Sequence, residues 1–94
     1  MATLIVKHRV ADFDTWKKVF ESMSTLRKEF GWTSHLVLRG VQDPNVVTIV
    51  NRVATIEGAK AYGQSPELRA AMANAGVEGP PEIWLSSEAL EHAY

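Results

Sequence analysis

The sequence predicts a small α+β domain in which strands and helices follow the order β-α-β-β-α-β. Short segments that are rich in β-branched residues and alternate in polarity indicate four strands. Two stretches with apolar residues at three- and four-residue steps indicate helices, and Gly, Pro and Asp residues separate the segments. Because 94 residues suffice for only one hydrophobic core, we expect a single domain spanning residues 1–94.

The first strand and the first helix are joined by a segment that contains two aspartates. The strand is predicted over Thr3–Arg9, and Asp12 and Asp14 are candidate N-caps, because their oxygens can accept from the first helical turn. The helix is predicted from Phe13 to about Phe30, with an apolar stripe formed by Trp16, Val19, Phe20, Met23 and Leu26. Gly31 suits the left-handed conformation that follows a helix end.

The middle of the chain predicts an antiparallel hairpin. Its strands, Trp32–Arg39 and Val46–Val53, flank the segment GVQDPN, in which Asp-Pro-Asn is favourable turn chemistry. A second, interrupted helical region follows: Thr55 can cap a piece that runs through Tyr62, and Ser65-Pro66-Glu67 can start another. The breakers Gly76, Gly79, Pro80 and Pro81 end this region. The last strand is predicted over Glu82–Ser87.

The register of the hairpin decides which side chains share a face of the sheet. Pairing Val41 with Val46 places His35 and Arg52 opposite each other, away from the helices. The same pairing directs three apolar side chains toward the helices: Trp32, Leu36 and Leu38. A slip of one residue exchanges the faces, and we adopt the first register because it keeps these apolar side chains inside.

The predicted order is the split pattern of ferredoxin-like domains, which pack both helices on one face of a four-stranded antiparallel sheet. The other face would then expose apolar side chains: Ile5, Val37, Val50 and Trp84. A second copy of the sheet would cover them, so we expect a homodimer.

Composition excludes several classes of partner. Ten basic and eleven acidic residues give a net charge of −1 without a long run of either sign, so no nucleic-acid partner is expected. The chain has no cysteine, as a reducing cytoplasm permits, and we expect a cytoplasmic protein. The opening MATLIVKHRV has too short an apolar run for a signal peptide or a membrane span.

Three polar residues are candidates for a site beneath the helices. His8 would face the helices and is the best candidate for a general base, although a half-buried histidine bonded to a backbone carbonyl is the commoner explanation of such a residue. Asn51 interrupts an apolar strand face and could orient a ligand oxygen, or bridge to a helix or a buried water. Tyr62 could aim its hydroxyl into the same cleft or into solvent.

Two further residues depend on the face that their strands present. His35 and Trp84 are candidates for substrate contact, but either could lie at the dimer interface instead, which the adopted register favours for His35. We expect no metal site, because the three histidines, His8, His35 and His92, lie on separate elements without ligand spacing. No Gly-rich phosphate loop or serine nucleophile motif is present, so no cofactor is expected.

Nearly the whole chain resembles the dimeric α+β barrel superfamily, and especially its antibiotic biosynthesis monooxygenase-like branch. The segments that carry the resemblance are LIVKHRVADFDTWKKVFE, GWTSHLVLRGVQDPNVVTIVNRVATIEGAKAY and SPELRAAMANAGV. The resemblance implies a homodimer whose subunits each hold a hydrophobic or aromatic, polyketide-like molecule between helices and sheet. Because members differ in activity, the fold alone does not select one.

The chain departs from several members at their functional positions. Haem-degrading relatives ligate iron through a histidine on the second helix, but residues 54–75 contain none. Cyclase relatives carry a His-Pro pair followed by a histidine, whereas Ser65-Pro66 is followed here by Glu67, and only Tyr62 lies in a matching position. Monooxygenase relatives often have a Trp where this chain has Val53.

Two hypotheses follow for function. The first is a cofactor-independent monooxygenase- or cyclase-like enzyme for an aromatic or polyketide-like substrate, with His8 as base and Asn51 and Tyr62 orienting a substrate oxygen. The second is a non-catalytic dimeric protein that binds a ligand or another partner, because the candidate base has no evident acid partner.

Overall fold

The structure is a computed structural model that describes residues 1–94 and contains four strands and four helices. In chain order these are β1 (Ala2–Val10), α1 (Phe13–Ser22), α2 (Ser24–Glu29), β2 (Trp32–Arg39), β3 (Val46–Val53), α3 (Ile56–Gly63), α4 (Pro66–Asn74) and β4 (Val77–Ser87). None of the helices combines the length and the apolar character needed to cross a membrane.

The strands form one antiparallel sheet in the order β2-β3-β1-β4, so β2 and β4 are its edges. The predicted α+β class and ferredoxin-like arrangement are confirmed. Helix side chains pack against alternate residues of the strands and form two apolar clusters. One consists of Ala2, Trp32, Val53, Ala59 and Tyr62. The other consists of Val10, Trp16, Val47, Ile49 and Ala75.

The predicted caps set the helix starts. The side chain of Asp12 accepts from the Thr15 backbone N–H at 2.9 Å and begins α1. Thr55 caps α3, and Ser65 caps α4, where Pro66 occupies the first turn. Gly31 has φ 101°, which confirms the left-handed residue expected after the first helical region.

The first helical region is broken, which the sequence pattern did not predict. It divides at Met23 into α1 and α2 instead of running unbroken to Phe30. Ser22 donates its hydroxyl to the Val19 carbonyl at 2.6 Å, so it competes with the backbone for a helical acceptor. Ser24 and Thr25 follow Met23, and such residues favour helix ends over interiors.

The adopted hairpin register is wrong by one residue. Leu36 pairs with Val50 and His35 pairs with Asn51, so the pairing directs His35 toward the helices and Leu36 away from them. Leu38 and Arg52 also point away from the helices, whereas Val37 packs against the second apolar cluster. The reason is an irregularity between Trp32 and Ser34: it keeps Trp32 inside and reverses the alternation for the rest of β2.

The last strand begins at Val77, five residues before the predicted start at Glu82. It includes Pro80 and Pro81, which an edge strand tolerates because its outer N–H groups pair with no neighbour. Lys7 lies opposite Glu82 and Arg9 opposite Glu78, so the three residues Gly79, Pro80 and Pro81 stand opposite His8. This bulge, with Gly79 at φ 73°, adjoins the candidate base.

Candidate active site

A cavity of about 320 Å³ lies between the helices and the inner face of the sheet. Its strand wall includes Leu4, Val6 and His8, which lie on β1 between the members of the two apolar clusters, Ala2 and Val10. Seventeen of its 24 lining residues are hydrophobic. The lining contains no Asp or Glu, and its polar side chains besides the indoles are His8, Arg27, Asn51, Lys60, Tyr62 and Gln64.

His8 reaches the cavity from near the C-terminal end of β1, opposite the bulge of β4. It is only 9% exposed, and its ring lies edge-on to Trp16 with centroids 5.9 Å apart. Both ring nitrogens are buried without a hydrogen-bond partner, so the backbone-carbonyl alternative is not what the structure contains. Burial lowers the pKa of His8, because the imidazolium loses more hydration than the neutral ring. The imidazole is therefore neutral at pH 7 and free to accept a proton.

Asn51 lies on the buried face of β3 and forms two hydrogen bonds within the protein. Its amide donates to the Leu4 carbonyl at 3.0 Å, and its Oδ1 accepts from Trp32 Nε1 at 2.9 Å. These partners differ from the helix or water that the sequence suggested. One amide N–H remains for a ligand. Asn51 thus joins β3 to its neighbours on both sides and holds the Trp32 indole in the cavity wall.

Tyr62 enters the cavity from α3 and packs against two aromatic rings. Its ring centroid is 4.7 Å from that of Trp32 and 5.6 Å from that of Phe30. Burial raises the pKa of Tyr62, and the nearby Arg27 guanidinium acts in the opposite direction more weakly. The phenol therefore stays protonated at neutral pH, where it can donate a hydrogen bond to a ligand oxygen.

Arg27 lines the cavity from α2 and was not among the candidates from the sequence. Only 4% of the residue is exposed, and its guanidinium carbon lies 3.8 Å from the centroid of the Phe20 ring. A signal was present: Arg27 stands four residues after Met23 and seven after Phe20, so it occupies a position of the apolar stripe. A charged residue on such a stripe indicates a site candidate.

The structure does not bring the other two candidates into the cavity. His35 points toward the helices but remains outside the cavity lining, with its ring edge-on to Phe20 at a centroid distance of 5.0 Å. Burial and the Arg27 charge both lower the pKa of His35. Trp84 pairs with Ile5 on the opposite face of the sheet and is 48% exposed. Of the predicted site residues, His8, Asn51 and Tyr62 therefore line one cavity, while His35 and Trp84 do not.

Solved structures of other proteins share this arrangement. A provisionally assigned antibiotic biosynthesis monooxygenase from Bordetella bronchiseptica superposes with a TM-score of 0.77 at 15% identity, over 95% of this chain and 97% of that chain. SnoaB, a cofactor-independent oxygenase from Streptomyces nogalater, superposes with a TM-score of 0.75 at 16% identity. The match covers 96% of this chain and 94% of that chain. A second provisionally assigned antibiotic biosynthesis monooxygenase, from Caulobacter crescentus, superposes with a TM-score of 0.74 at 21% identity. The match covers 96% of this chain and 90% of that chain.

Neither a protein-family model nor a curated protein matches the sequence. At 15–21% identity, the likeness to these structures concerns the fold and does not carry over an activity. The chain has the fold of the antibiotic biosynthesis monooxygenase-like proteins, as its sequence resemblance predicted.

Proposed function

We propose that this protein is a cofactor-independent enzyme of the monooxygenase or cyclase type, which acts on an aromatic or polyketide-like substrate in the cavity. The observation that carries the proposal is His8, a buried neutral imidazole in an apolar wall with both nitrogens unpartnered. An unpaired polar group in such a place destabilises the fold, so its presence favours a role in chemistry.

His8 acts as the general base in this proposal. It removes a proton from an acidic C–H group next to a substrate carbonyl, which leaves a carbanion stabilised by the ring system. In a monooxygenase reaction, the carbanion combines with O₂ to give a peroxide anion, which takes the proton back from the His8 imidazolium. The resulting hydroperoxide then loses water together with the second hydrogen of the same carbon, which leaves a new carbonyl group. In a cyclase reaction, the carbanion attacks a second carbonyl of the same molecule and forms a carbon–carbon bond. The π bond of that carbonyl breaks, and the resulting alkoxide takes the proton from the His8 imidazolium.

Tyr62 and Asn51 have different roles in binding the substrate. The protonated Tyr62 phenol donates to the substrate oxygen on which negative charge develops, and its burial strengthens that hydrogen bond. Asn51 has one free amide N–H for the same oxygen, but its two protein contacts make it chiefly a positioning residue for Trp32. The apolar wall excludes water from the anion.

The active form in this proposal is a homodimer. The sheet face opposite the cavity carries Leu36, which is 57% exposed, together with Leu38 and Trp84. The partly buried side chains of Ile5 and Val50 lie between them on the central strands. Such a continuous apolar face supports packing of two sheets against each other.

Oxygen uptake and product analysis with a panel of polycyclic phenols and anthrones test the proposed reaction. Replacing His8 by Gln removes the base, and we expect kcat to fall by roughly 10²- to 10⁴-fold, as for other general bases. His92→Gln is the matched control, because His92 lies in the C-terminal tail outside the cavity lining, and it should retain wild-type kcat. Label from ¹⁸O₂ in the product identifies a monooxygenase, and ring closure without label identifies a cyclase. Wild-type kcat in His8→Gln would contradict the assignment of the base.

A non-catalytic ligand-binding protein is the second candidate function. It is favoured by the same His8, because no carboxylate orients the imidazole as in most acid–base pairs. Native mass spectrometry of freshly purified protein tests this candidate. A retained small molecule that is recovered chemically unchanged after incubation with O₂ would support binding without catalysis.

A further inference from the structure

Arg27 is a buried cation with no anion beside it. It is 4% exposed, whereas every ion pair in the structure is formed by Arg9, Lys17 or Arg52. Removing a guanidinium from water is unfavourable unless an opposite charge or several acceptors compensate, and isolated buried charges are therefore rare in proteins. The fold alone does not explain why Arg27 occupies this position.

The neighbours of Arg27 hold its guanidinium group in position but do not neutralise its charge. The Phe20 ring attracts the cation through its π face and is itself stacked on Trp16, with ring centroids 4.8 Å apart. The Arg27 charge acts on two polar groups, because it favours a lower pKa for the Tyr62 hydroxyl, against the larger effect of burial, and for the His35 imidazole. Both groups are neutral at pH 7. The guanidinium is thus held in place while lacking a carboxylate partner.

The whole cavity has the same imbalance of charge. Lys60, an exposed residue of α3, is its second cationic side chain and takes part in no ion pair, and the lining contains no acid. The protein as a whole carries a net charge of −1, so the excess of positive charge is a local property of this cavity. An anionic ligand would complement it.

We propose that Arg27 is a substrate-binding residue that pairs with an anionic oxygen, a carboxylate or a phenolate, on an aromatic molecule in the cavity. The planar fork of a guanidinium suits two oxygens of a carboxylate, and Tyr62, which lines the same cavity, has a hydroxyl that can donate to the same ligand. The apolar lining accommodates the rings, and a volume of about 320 Å³ falls at the lower end of ligand pockets, about 300–1,000 Å³.

This inference names the substrate class for the proposed enzyme and rests on that function only in that the ligand is a substrate. Arg27 fixes the charged end of the molecule from α2, while His8 approaches from β1 on the sheet side of the cavity. The two residues together would give the rings a defined orientation. A neutral polyketide of the same size would lack the first of these contacts.

Isothermal titration calorimetry with two matched probes tests the pairing. Naphthoate and naphthamide have the same rings and nearly the same shape, but only naphthoate is charged. We expect the wild-type protein to bind naphthoate more tightly by roughly ten- to a hundred-fold, which corresponds to hydrogen bonds to a charged group. Arg27→Gln should remove this preference and leave the affinity for naphthamide unchanged within about two-fold.

Two further variants separate the pairing from general effects of charge and folding. Arg27→Lys keeps the charge without the planar fork and should retain part of the preference for naphthoate. Arg69→Gln removes an exposed arginine on α4 that does not line the cavity, and it should bind both probes like the wild type. Naphthol tests the phenolate arm, because binding beside Arg27 should lower the pKa of the bound phenol and shift its absorbance at neutral pH.

The outcomes distinguish this inference from the proposed reaction. Equal affinity of the wild type for naphthoate and naphthamide, or loss of both ligands in Arg27→Gln at unchanged thermal stability, would overturn the pairing. A wild-type protein that binds neither probe at millimolar concentration would also overturn it. Charge-selective binding without turnover of any anionic aromatic substrate would uphold the pairing and contradict the enzymatic function.

Discussion

Asn51 contributes mainly to the structure of the cavity wall and less to the chemistry proposed there. An amide in an apolar strand is a reasonable candidate for ligand binding, because it would otherwise be left buried without partners. In the structure, its partners are the Leu4 carbonyl and the Trp32 indole, which themselves belong to the cavity lining. The effect of Asn51 on a ligand therefore acts largely through the position of Trp32.

His8 should make the stability of the fold dependent on pH. Its pKa is lowered by burial, so the unfolded chain binds a proton more readily than the folded protein does near pH 6. The free energy of unfolding is consequently highest above the unfolded pKa of 6.5, and it decreases as pH falls through 6.5 toward the lower folded pKa. Urea unfolding of the wild type between about pH 8 and pH 5 should show this decrease.

His8→Leu should flatten that pH profile, since leucine does not titrate. His35 contributes in the same direction, because its pKa is also lowered, and His35→Asn separates the two contributions. His92 lies in the exposed tail, so His92→Gln is the control and should leave the profile unchanged. A wild-type slope that persists in His8→Leu would show that His8 is not the group responsible.

The residues of the cavity could be predicted in part from the sequence. His8, Asn51 and Tyr62 stood out because each is a polar side chain on a face that is otherwise apolar. Arg27 belongs to the same class, but neighbouring charged residues such as Lys28 are typical of the solvated face of a helix. The sequence pattern therefore did not set Arg27 apart from that face. The break at Met23 was missed because the apolar stripe continues through it and outweighs the indication from Ser24 and Thr25.

The strand β2 shows why register is hard to predict from a single hairpin. Leu36, Val37 and Leu38 are consecutive apolar residues, so either phase of alternation buries an apolar set. Trp32 suggested the phase, but the irregularity before Ser34 separates its orientation from that of the following residues. The antiparallel pairing of β2 and β3 and the bounds of these two strands were predictable from the sequence pattern, whereas the phase depended on one local distortion.

The tail that follows β4 is held against the sheet by charge. Glu88 accepts hydrogen bonds from Nε and Nη2 of Arg52 at 3.0 and 2.9 Å and from the Thr3 hydroxyl at 3.0 Å. These contacts, with that of Arg52 the largest, lower the pKa of Glu88 to about 2. The attachment is therefore complete above the ordinary value of 4.5 and is lost as pH falls through about 2.

Arg52→Gln should release this tail. We expect the pKa of Glu88 to rise from about 2 toward 4.5, and the Glu88 amide, which donates to the Met1 carbonyl at 3.4 Å, to exchange its hydrogen faster. An NMR titration of the Glu88 carboxyl carbon measures the first effect. Arg69→Gln provides the control, since Arg69 lies on α4 and forms no ion pair. A Glu88 pKa that stays near 2 in Arg52→Gln would show that another group holds the carboxylate.

The molecule as a whole has a sheet with two different apolar faces. The inner face meets the helices, where two apolar clusters and the cavity share the space. The outer face has no helix on it, although Leu36, Leu38 and Trp84 are at least 44% exposed there. Exposing such an apolar surface to water is unfavourable for a monomer. A second sheet packed at a distance of about 10 Å would cover it.

Association through this outer face should respond to a charge at its centre and not to one elsewhere. Leu36→Lys places an ammonium group beside Val50, where a partner sheet would remove it from water, so the dimer should weaken by at least about ten-fold. Val41→Lys is the matched control, because Val41 is fully exposed in the hairpin loop and should not affect association. Sedimentation at micromolar concentration should give twice the subunit mass of 10.4 kDa for the wild type and Val41→Lys, and a shift toward the subunit mass for Leu36→Lys.

A wild-type protein that sediments as a 10.4 kDa monomer would contradict the dimer. A Leu36→Lys protein that remains as tightly dimeric as the wild type would place the interface on another surface.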